Sequence, residues 1–471
     1  MSKIYIVSII MVLAVTVSIS AIVIDIPDDY ATIQAGIDAS SDGDTVLVQP
    51  GEYGEFLSFN GNNIVLASLF LLTANPAYIE STVIFCPLTR SDEIIRLESG
   101  EDSTSKIIGF IISGSYLWPD GGGIYLANGS EPLISYNLFY GCGGETGGAI
   151  KCYSSNPRIE FNEFYHNHAG LLFTGRGGAI KCVNSNPAIL NNVFRTCFAN
   201  QFGGAIYCGN SYPLIQNNIF YENASDSGGA IFLSNSSPRL INNTFYNNHA
   251  DSGIGGALCC FDQSHPLLVN NIFWNDSATA GSEIYKDDLS SVIISYCNIE
   301  NGYSGIGNLD IDPLFRDPNN DDLHLMATYC DDPFDSPCID MGHPDISDSL
   351  LDCAWGLGGL RSDIGAYGGG EGCVGINEAE NHLPNRISLN QNYPNPFNGS
   401  TTISFSLPNP QHVALDIYNI LGQHLEALID DVRPPGQYSL TWNVERYPSG
   451  VYFAKLTTVN FSESIKMTLL K

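Results

Sequence analysis

Apolar residues along this chain return in blocks. Aligned on the apolar residue that follows a short glycine-rich turn, the blocks start at Ile124, Ile150, Ile180, Ile206, Ile231, Leu258 and Ile284. The spacings are 26, 30, 26, 25, 27 and 26 residues. A near-constant period of this size predicts stacked structural units. The blocks are rich in Ile, Val, Phe, Tyr, Asn and Gly and lack a helical pattern, so the units read as strands.

Each block carries three further landmarks. A proline follows the anchor, at Pro132, Pro157, Pro187, Pro213, Pro238 and Pro266. Two residues later comes an aliphatic: Ile134, Ile159, Ile189, Ile215, Leu240 and Leu268. Asn-x-Phe closes the block, at Asn137/Phe139, Asn162/Phe164, Asn192/Phe194, Asn218/Phe220, Asn243/Phe245 and Asn271/Phe273. The pattern predicts three short strands per turn of chain, with Gly, Pro and Asn at the corners. Gly tolerates a positive φ there, and Asn is next best. Stacked turns of this kind make a parallel β-helix with strands about 4.8 Å apart. Like residues then lie one above another, so the Asn column is expected to form an amide ladder and the Phe column a ring stack. Two residues after the anchor stand Leu126, Cys152, Cys182, Cys208, Leu233 and Cys260. Leu replaces Cys there, which reads as a core column; a metal site or a disulfide chain is the alternative.

IDIPDDYATIQAGIDASSDGDTVLVQPGEY, Ile24 to Tyr53, resembles the amino-terminal cap and first strand of pectin-lyase-like β-helix proteins. The resemblance implies a short helix, Thr32–Ala39, over the open end of the core. IDPLFRDPNNDDLHL, SPCIDMG and SDIGAYGG, between Ile311 and Gly369, resemble the way many secreted bacterial β-helix proteins finish. That superfamily mixes lyases, hydrolases, adhesins and surface proteins, so the likeness implies a fold and not an activity. The last part of the chain is different. Alternating strands joined by Gly/Pro turns predict a small β-sandwich. Tyr393-Pro394-Asn395-Pro396-Phe397, Leu421-Gly422-Gln423, Pro435-Gly436-Gln437-Tyr438 with Trp442, Ser449-Gly450-Val451-Tyr452, Lys466 and Lys471 resemble the type A sorting domains of type IX secretion substrates. That likeness implies the secretion machinery as partner and the outer surface as destination; an ordinary stalk module is the alternative. The expected fold class is all-β: a right-handed parallel β-helix over 22–373, a linker at 374–386 and an immunoglobulin-like β-sandwich over 387–471.

The opening MSKIYIVSIIMVLAVTVSISA has one Lys, an apolar run and small residues, which reads as a signal peptide over 1–21, with a retained anchor as the alternative. No other stretch is apolar for long enough to span a bilayer. Net charge is −31. From Ile387 onward five bases and six acids leave −1, so the remaining −30 lies upstream. Such a body repels nucleic acid and anionic membranes and favours cations or uncharged partners. The 13 cysteines suggest some disulfides, with Cys330–Cys338 and Cys353–Cys373 as the local pairs.

Chemistry on this fold would sit on an outward face. The residue after each anchor points outward and brings two stacked lysines, Lys151 and Lys181, but no carboxylate. The residue after each ladder Asn brings one acid, Glu163. Neither column pairs acids in adjacent coils, as glycosidase chemistry requires, although loops could supply them. The residue after each repeat Phe reads Tyr140, Tyr165, Arg195, Tyr221, Tyr246 and Trp274. An outward aromatic stripe suits a polysaccharide or cell-surface glycan; a self-stacked ladder shielding the sheet is the alternative. Asp310, Asp312, Asp317, Asp321 and Asp322 crowd one loop, where calcium is the candidate cofactor and a solvated acidic loop the alternative. His166-x-His168 lacks a third ligand and reads as loop histidines. The sequence therefore points to a secreted or cell-surface glycan-binding or adhesive β-helix. The alternatives are a polysaccharide lyase or glycoside hydrolase with loop-borne residues, and a structural surface protein.

Overall fold

The computed structural model describes residues 21–87, 93–114, 122–170, 174–348, 356–368, 387–389, 391–392, 394–407, 411–420, 422–433, 436–444, 446–458 and 461–470. The signal peptide but for its last residue, the linker, Cys353, Cys373, Tyr393, Leu421, Pro435 and Lys471 lie outside them.

From Val23 to Ile299 the chain winds as a parallel β-solenoid. Its sheets hold eleven, ten, nine and six strands. The anchor residues pair in register from Ile124 through Ile150, Ile180, Ile206, Ile231 and Leu258 to Ile284. We call their sheet the anchor sheet, and the one containing the repeat phenylalanines the Phe sheet. The expectation of three strands per turn is corrected to four in the later coils. The fourth sheet, from Gly143–Gly144 to Ser277–Ala280, sits between the Phe strand and the next anchor. Strands such as Gly143–Gly144, His168–Ala169, Ala224–Ser227 and Ser277–Ala280 are built of small and polar residues rather than Ile and Val, so the sheet leaves no repeating apolar signature.

Each corner is a column of left-handed residues. Before the ladder Asn it holds Tyr136, Phe161, Asn191, Asn217, Asn242 and Asn270, all with φ between 51° and 57°. Asn reaches this region at low cost because its side chain bonds locally. The glycine turn is stricter. Gly203 holds a φ of 68°, and a Cβ on Gly204 would collide with the Gly229 carbonyl of the next coil. That close approach explains why the pair repeats.

The core is a set of columns. Phe139, Phe164, Phe194, Phe220, Phe245 and Phe273 are fully buried and stack at centroid distances of 4.5–4.8 Å. The Asn ladder forms as expected: Asn192 Nδ2 donates to Asn218 Oδ1 at 3.0 Å, and Asn218 Nδ2 to Asn243 Oδ1 at 3.0 Å. Two further columns carry no comparable sequence signal. In one, Asn223 donates to Asn248 at 3.0 Å and Asn248 to Asp276 at 2.8 Å. In the other, the hydroxyls of Ser185, Ser211, Ser236, Ser264 and Ser290 each accept the backbone N–H of the serine one coil earlier, at 3.0–3.1 Å. Cys152, Cys182, Cys208 and Cys260 are fully buried and free, which settles the thiol column as core. Burial likewise pushes the Cys142, Cys197 and Cys297 thiols up to about 12, so they stay protonated. Cys338 is a free thiol while Cys330 is disulfide-bonded, so the Cys330–Cys338 pairing is corrected.

The helix Ile33–Ala39 covers the first coil with Ile33 and Ile37 buried, its N-cap Thr32 accepting Ala35 N–H at 3.2 Å. After the last coil, residues 309–348 and 356–367 fold back over the outside of the Phe sheet. Phe315, Leu323, Leu325, Ala327, Leu357, Ile364 and Ala366 pack there on Ile219, Tyr221 and Ile272. The carboxyl-terminal part forms a three-stranded and a four-stranded antiparallel sheet around one core that includes Phe405, Leu415, Trp442 and Leu456.

Candidate functional site

Strand alternation sends the residue after each repeat Phe outward, and the register sets Tyr140, Tyr165, Arg195, Tyr221, Tyr246 and Trp274 in one row. The row forms, but its exposure stops halfway. This covering layer lies on Tyr221, Tyr246 and Trp274. Tyr221 is 8% exposed, and the Phe315 ring meets Tyr246 edge-on at 5.5 Å. The row is thus open at Tyr140, half-buried at Tyr165 and Arg195, and covered from Tyr221 to Trp274. The reason is hydrophobic: from Val193 to Ile272 this exterior is apolar enough to bury a second layer. Tyr140 begins the row, with Ser113 on the coil before it, and is 45% exposed. Its ring centroid is 5.6 Å from that of Tyr165, while the Arg195 guanidinium lies 4.0 Å over the Tyr165 ring.

A polar cluster marks the edge of the covering segment. Arg195 donates to Glu163 Oε1 at 2.7 Å and to Asp321 Oδ2 at 3.3 Å. Burial first, then the nearby carboxylates of Glu222 and Asp321, hold the Tyr221 hydroxyl well above the ordinary phenol range. Of these acids, Glu163 stood out in the sequence as the one acid of its column, and Asp321 only as one of the loop aspartates. Asp321 reaches Arg195 across 126 residues, which no repeat alignment predicts. Glu222 did leave a trace: it holds a φ of 51° at a corner where the next two coils use Asn247 and Asn275.

The aspartates expected to hold calcium do not converge. Asp310 accepts Asn301 N–H, Asp312 accepts Leu314 N–H, Asp317 accepts Asn320, Asp321 pairs with Arg195, and Asp322 meets His324 Nδ1 at 2.6 Å. Among the described residues no three His, Cys, Asp or Glu side chains are grouped to hold a metal ion. In a turn-rich loop these carboxylates cap local backbone or pair singly. His166 sits at a corner against the Tyr165 ring, and burial holds the His168 imidazole below its ordinary pKa.

The outside of the anchor sheet carries a second cluster. Lys151 Nζ donates to Glu93 Oε1 at 3.0 Å, and Arg96 bridges Glu93 and Glu98 at 2.8 and 2.9 Å. The Arg96 guanidinium lies 4.7 Å over Tyr125, and Lys181 Nζ donates to the Tyr153 hydroxyl at 2.9 Å. Glu93 supplies the carboxylate that the lysine column lacked; it enters just before the strand Ile95–Leu97, outside the aligned repeats. Beyond Lys181 this face turns apolar, with Tyr207, Phe232 and Cys259 buried under Phe202 and Ile254.

Three overlapping stretches, 57–197, 97–245 and 176–310, match the family model of the right-handed β-helix region. Residues 391–469 match the secretion-system C-terminal sorting domain. No curated protein matches the chain. A solved structure of a pectin methylesterase variant in complex with a hexasaccharide aligns over 61% of this chain and 80% of its own, at 14% identity and a TM-score of 0.28. No helix among the described residues is long and apolar enough to cross a membrane. The sorting domain directs export by type IX secretion to the cell surface or extracellular space. By its repeats, its register and its matched length, the chain belongs to the right-handed β-helix family.

Proposed function

We propose that the β-helix body binds a surface glycan, as an adhesive protein, through Tyr140, Tyr165 and Arg195 with Glu163 and Asp321. The observation that carries this reading is the meeting of the open Tyr140 ring and the half-buried Tyr165 ring with planar charged side chains at the edge of the covering segment. A sugar ring offers an apolar face and a rim of hydroxyls; Tyr answers the first, and the carboxylates and guanidinium answer the second. The test is retention of the full chain on immobilised cell-surface and plant polysaccharides. Tyr140→Ala and Arg195→Ala should each weaken retention at least tenfold with the fold intact. Unchanged retention in both variants would leave the row as a self-stacked wall.

A second reading, a glycoside hydrolase or polysaccharide lyase on the same face, is favoured by Glu222 and Asp321 converging on one hydroxyl. New reducing ends from a polysaccharide, abolished in Glu222→Gln, would establish it.

A further inference from the structure

The second ladder ends on an acid. Asn223 donates to Asn248 at 3.0 Å. Asn248 gives Asp276 Oδ1 both its backbone N–H, at 2.6 Å, and its side-chain amide, at 2.8 Å. A carboxylate in this column lacks the amide protons by which Asn223 and Asn248 also reach the Phe194 and Phe220 carbonyls, at 2.9 and 3.0 Å. In the same coil, Glu283 interrupts the row of fully buried alanines Ala149, Ala179, Ala205, Ala230 and Ala257. A Cβ on Gly256 would collide with both the Ser277 amide and the Ser282 carbonyl. The backbone just after Asp276 and the backbone just before Glu283 therefore meet at that glycine.

Both side chains are withdrawn from water: Asp276 is 5% exposed and Glu283 4%. Asp276 Oδ2 and both side-chain oxygens of Glu283 are buried without a hydrogen-bond donor among the described residues. Neither acid forms an ion pair among those residues. The titratable groups that face them bring no positive charge. Glu300, from the following coil, lies near both acids and accepts the Asn275 N–H at 2.8 Å. The Tyr246 phenol, one coil back, lies near Asp276. Two buried carboxylates side by side cannot both stay ionised without a cation. Burial first, then the Asp276 charge, raises the Glu283 carboxyl, and burial raises Asp276 as well.

We propose that Asp276 and Glu283 hold one proton between them, and that this shared proton is a pH-sensitive latch on the last coil. The latch lies inside the solenoid and does not rest on the glycan reading. The two N–H bonds on Asp276 Oδ1 favour its ionised form, so Glu283 carries the proton and donates it to Asp276 Oδ2 in a charge-assisted bond. The acid O–H replaces the amide that the ladder lacks at its end. Loss of this proton to water leaves the Asp276, Glu283 and Glu300 carboxylates together, and their repulsion loosens the coil Ile284–Ile299. The covering layer is tied to that coil: Ile299 N–H donates to the Leu309 carbonyl at 2.9 Å, and Leu309 N–H to the Cys297 carbonyl at 2.8 Å. The folded pair keeps a proton that the unfolded chain releases from about pH 4. The latch is therefore shut at low pH and opens as pH rises, its opening constant growing up to about tenfold per pH unit.

The test is hydrogen exchange of the full chain from about pH 6 to about pH 9, corrected for intrinsic exchange, on the amides of Ile284–Ile299. In the wild type their opening should grow toward about tenfold per pH unit. Glu283→Gln offers Asp276 a permanent amide donor, and most of this slope should vanish. Asp276→Asn/Glu283→Ala restores the usual residue of both columns, should flatten the slope equally, and keeps the test valid if Glu283→Gln fails to fold. Infrared spectra at neutral pH should show one protonated carboxyl fewer in each variant than in the wild type. A flat wild-type profile, an unchanged slope in the variants, or an unchanged acid band would overturn the proposal. So would calcium restoring wild-type protection at high pH, since the pair would then hold a cation and not a proton.

Discussion

Truncating one amide in the middle of the ladder should cost far more than its size suggests. Asn218 Oδ1 accepts the Asn192 backbone N–H at 2.9 Å and Asn192 Nδ2 at 3.0 Å. Its Nδ2 donates to Asn243 Oδ1, to the Ile189 carbonyl and to the Gln216 carbonyl at 3.0, 2.9 and 2.9 Å. In Asn218→Ala some neighbours keep partners. Asn192 Nδ2 retains the Ile159 and Leu190 carbonyls, and Asn243 Oδ1 retains the Asn218 backbone N–H. The Asn192 backbone N–H loses its acceptor inside a dry core. One orphaned buried donor costs about 1–3 kcal/mol, and the lost bonds add about 1 kcal/mol each for the two amide protons. The total is about 3–5 kcal/mol. Asn186→Ala is the control: its Oδ1 accepts Tyr212 N–H at the surface, where water can replace it, for about 0.5 kcal/mol. Because a solenoid can open coil by coil, local hydrogen exchange is the better assay. Amides of the coils holding Asn192 and Asn243 should exchange at least a hundredfold faster in Asn218→Ala and little faster in Asn186→Ala. Equal protection in the two variants would refute the view that the ladder holds the coils together.

Three further outcomes follow from the same geometry. Burial first, then Asp363, pushes the Asp348 carboxyl up to about 8, and burial raises Asp363 to about 7. The folded state therefore holds protons that the unfolded state releases from about pH 4, and stability should fall as pH rises from about 4 to 8, by up to about 1.4 kcal/mol per pH unit per group. Asp348→Asn should raise the melting temperature at pH 8, with the gain vanishing near pH 4; a gain independent of pH would exclude this origin. Asp321→Ala removes a carboxylate from the Tyr221 hydroxyl and an exposed partner from Arg195. Ultraviolet titration should show one tyrosine ionising at lower pH, while thermal stability drops by no more than about 1 kcal/mol. Deleting 387–471 should leave the body inside the outer membrane, as read by surface proteolysis of intact cells; surface display of the truncated chain would contradict the sorting assignment.

The repeat made the solenoid legible because stacking converts a sequence column into a spatial one. Ile180, Asn192 and Phe194 each announced the column they occupy. What stayed hidden is what stacking does not encode. The serine column escaped because Ser also reads as loop, and the fourth sheet because His168–Ala169 and Ala224–Ser227 lack apolar alternation. The half-covered row was illegible for a different reason. Its cover is a segment beginning near Leu309, with its own composition and no repeat, and only the fold brings Phe315 against Tyr246. Likewise Glu93 and Asp321 reach their cations from outside the aligned columns.

A chain written in near-identical lines has an addressing problem. Because the anchor, Asn and Phe columns repeat, a coil slipped by one whole unit would regain almost every contact of the correct stack. Such near-degenerate pairings are competing minima during folding, and they favour misassembly. The irregular characters break the tie. The 30-residue interval between Ile150 and Ile180 matches no other spacing. Glu283 occupies the row held by Ala205, Ala230 and Ala257, beside Asp276 at the end of the second ladder. The least conforming residues thus serve as page numbers, telling each coil which neighbour is its own.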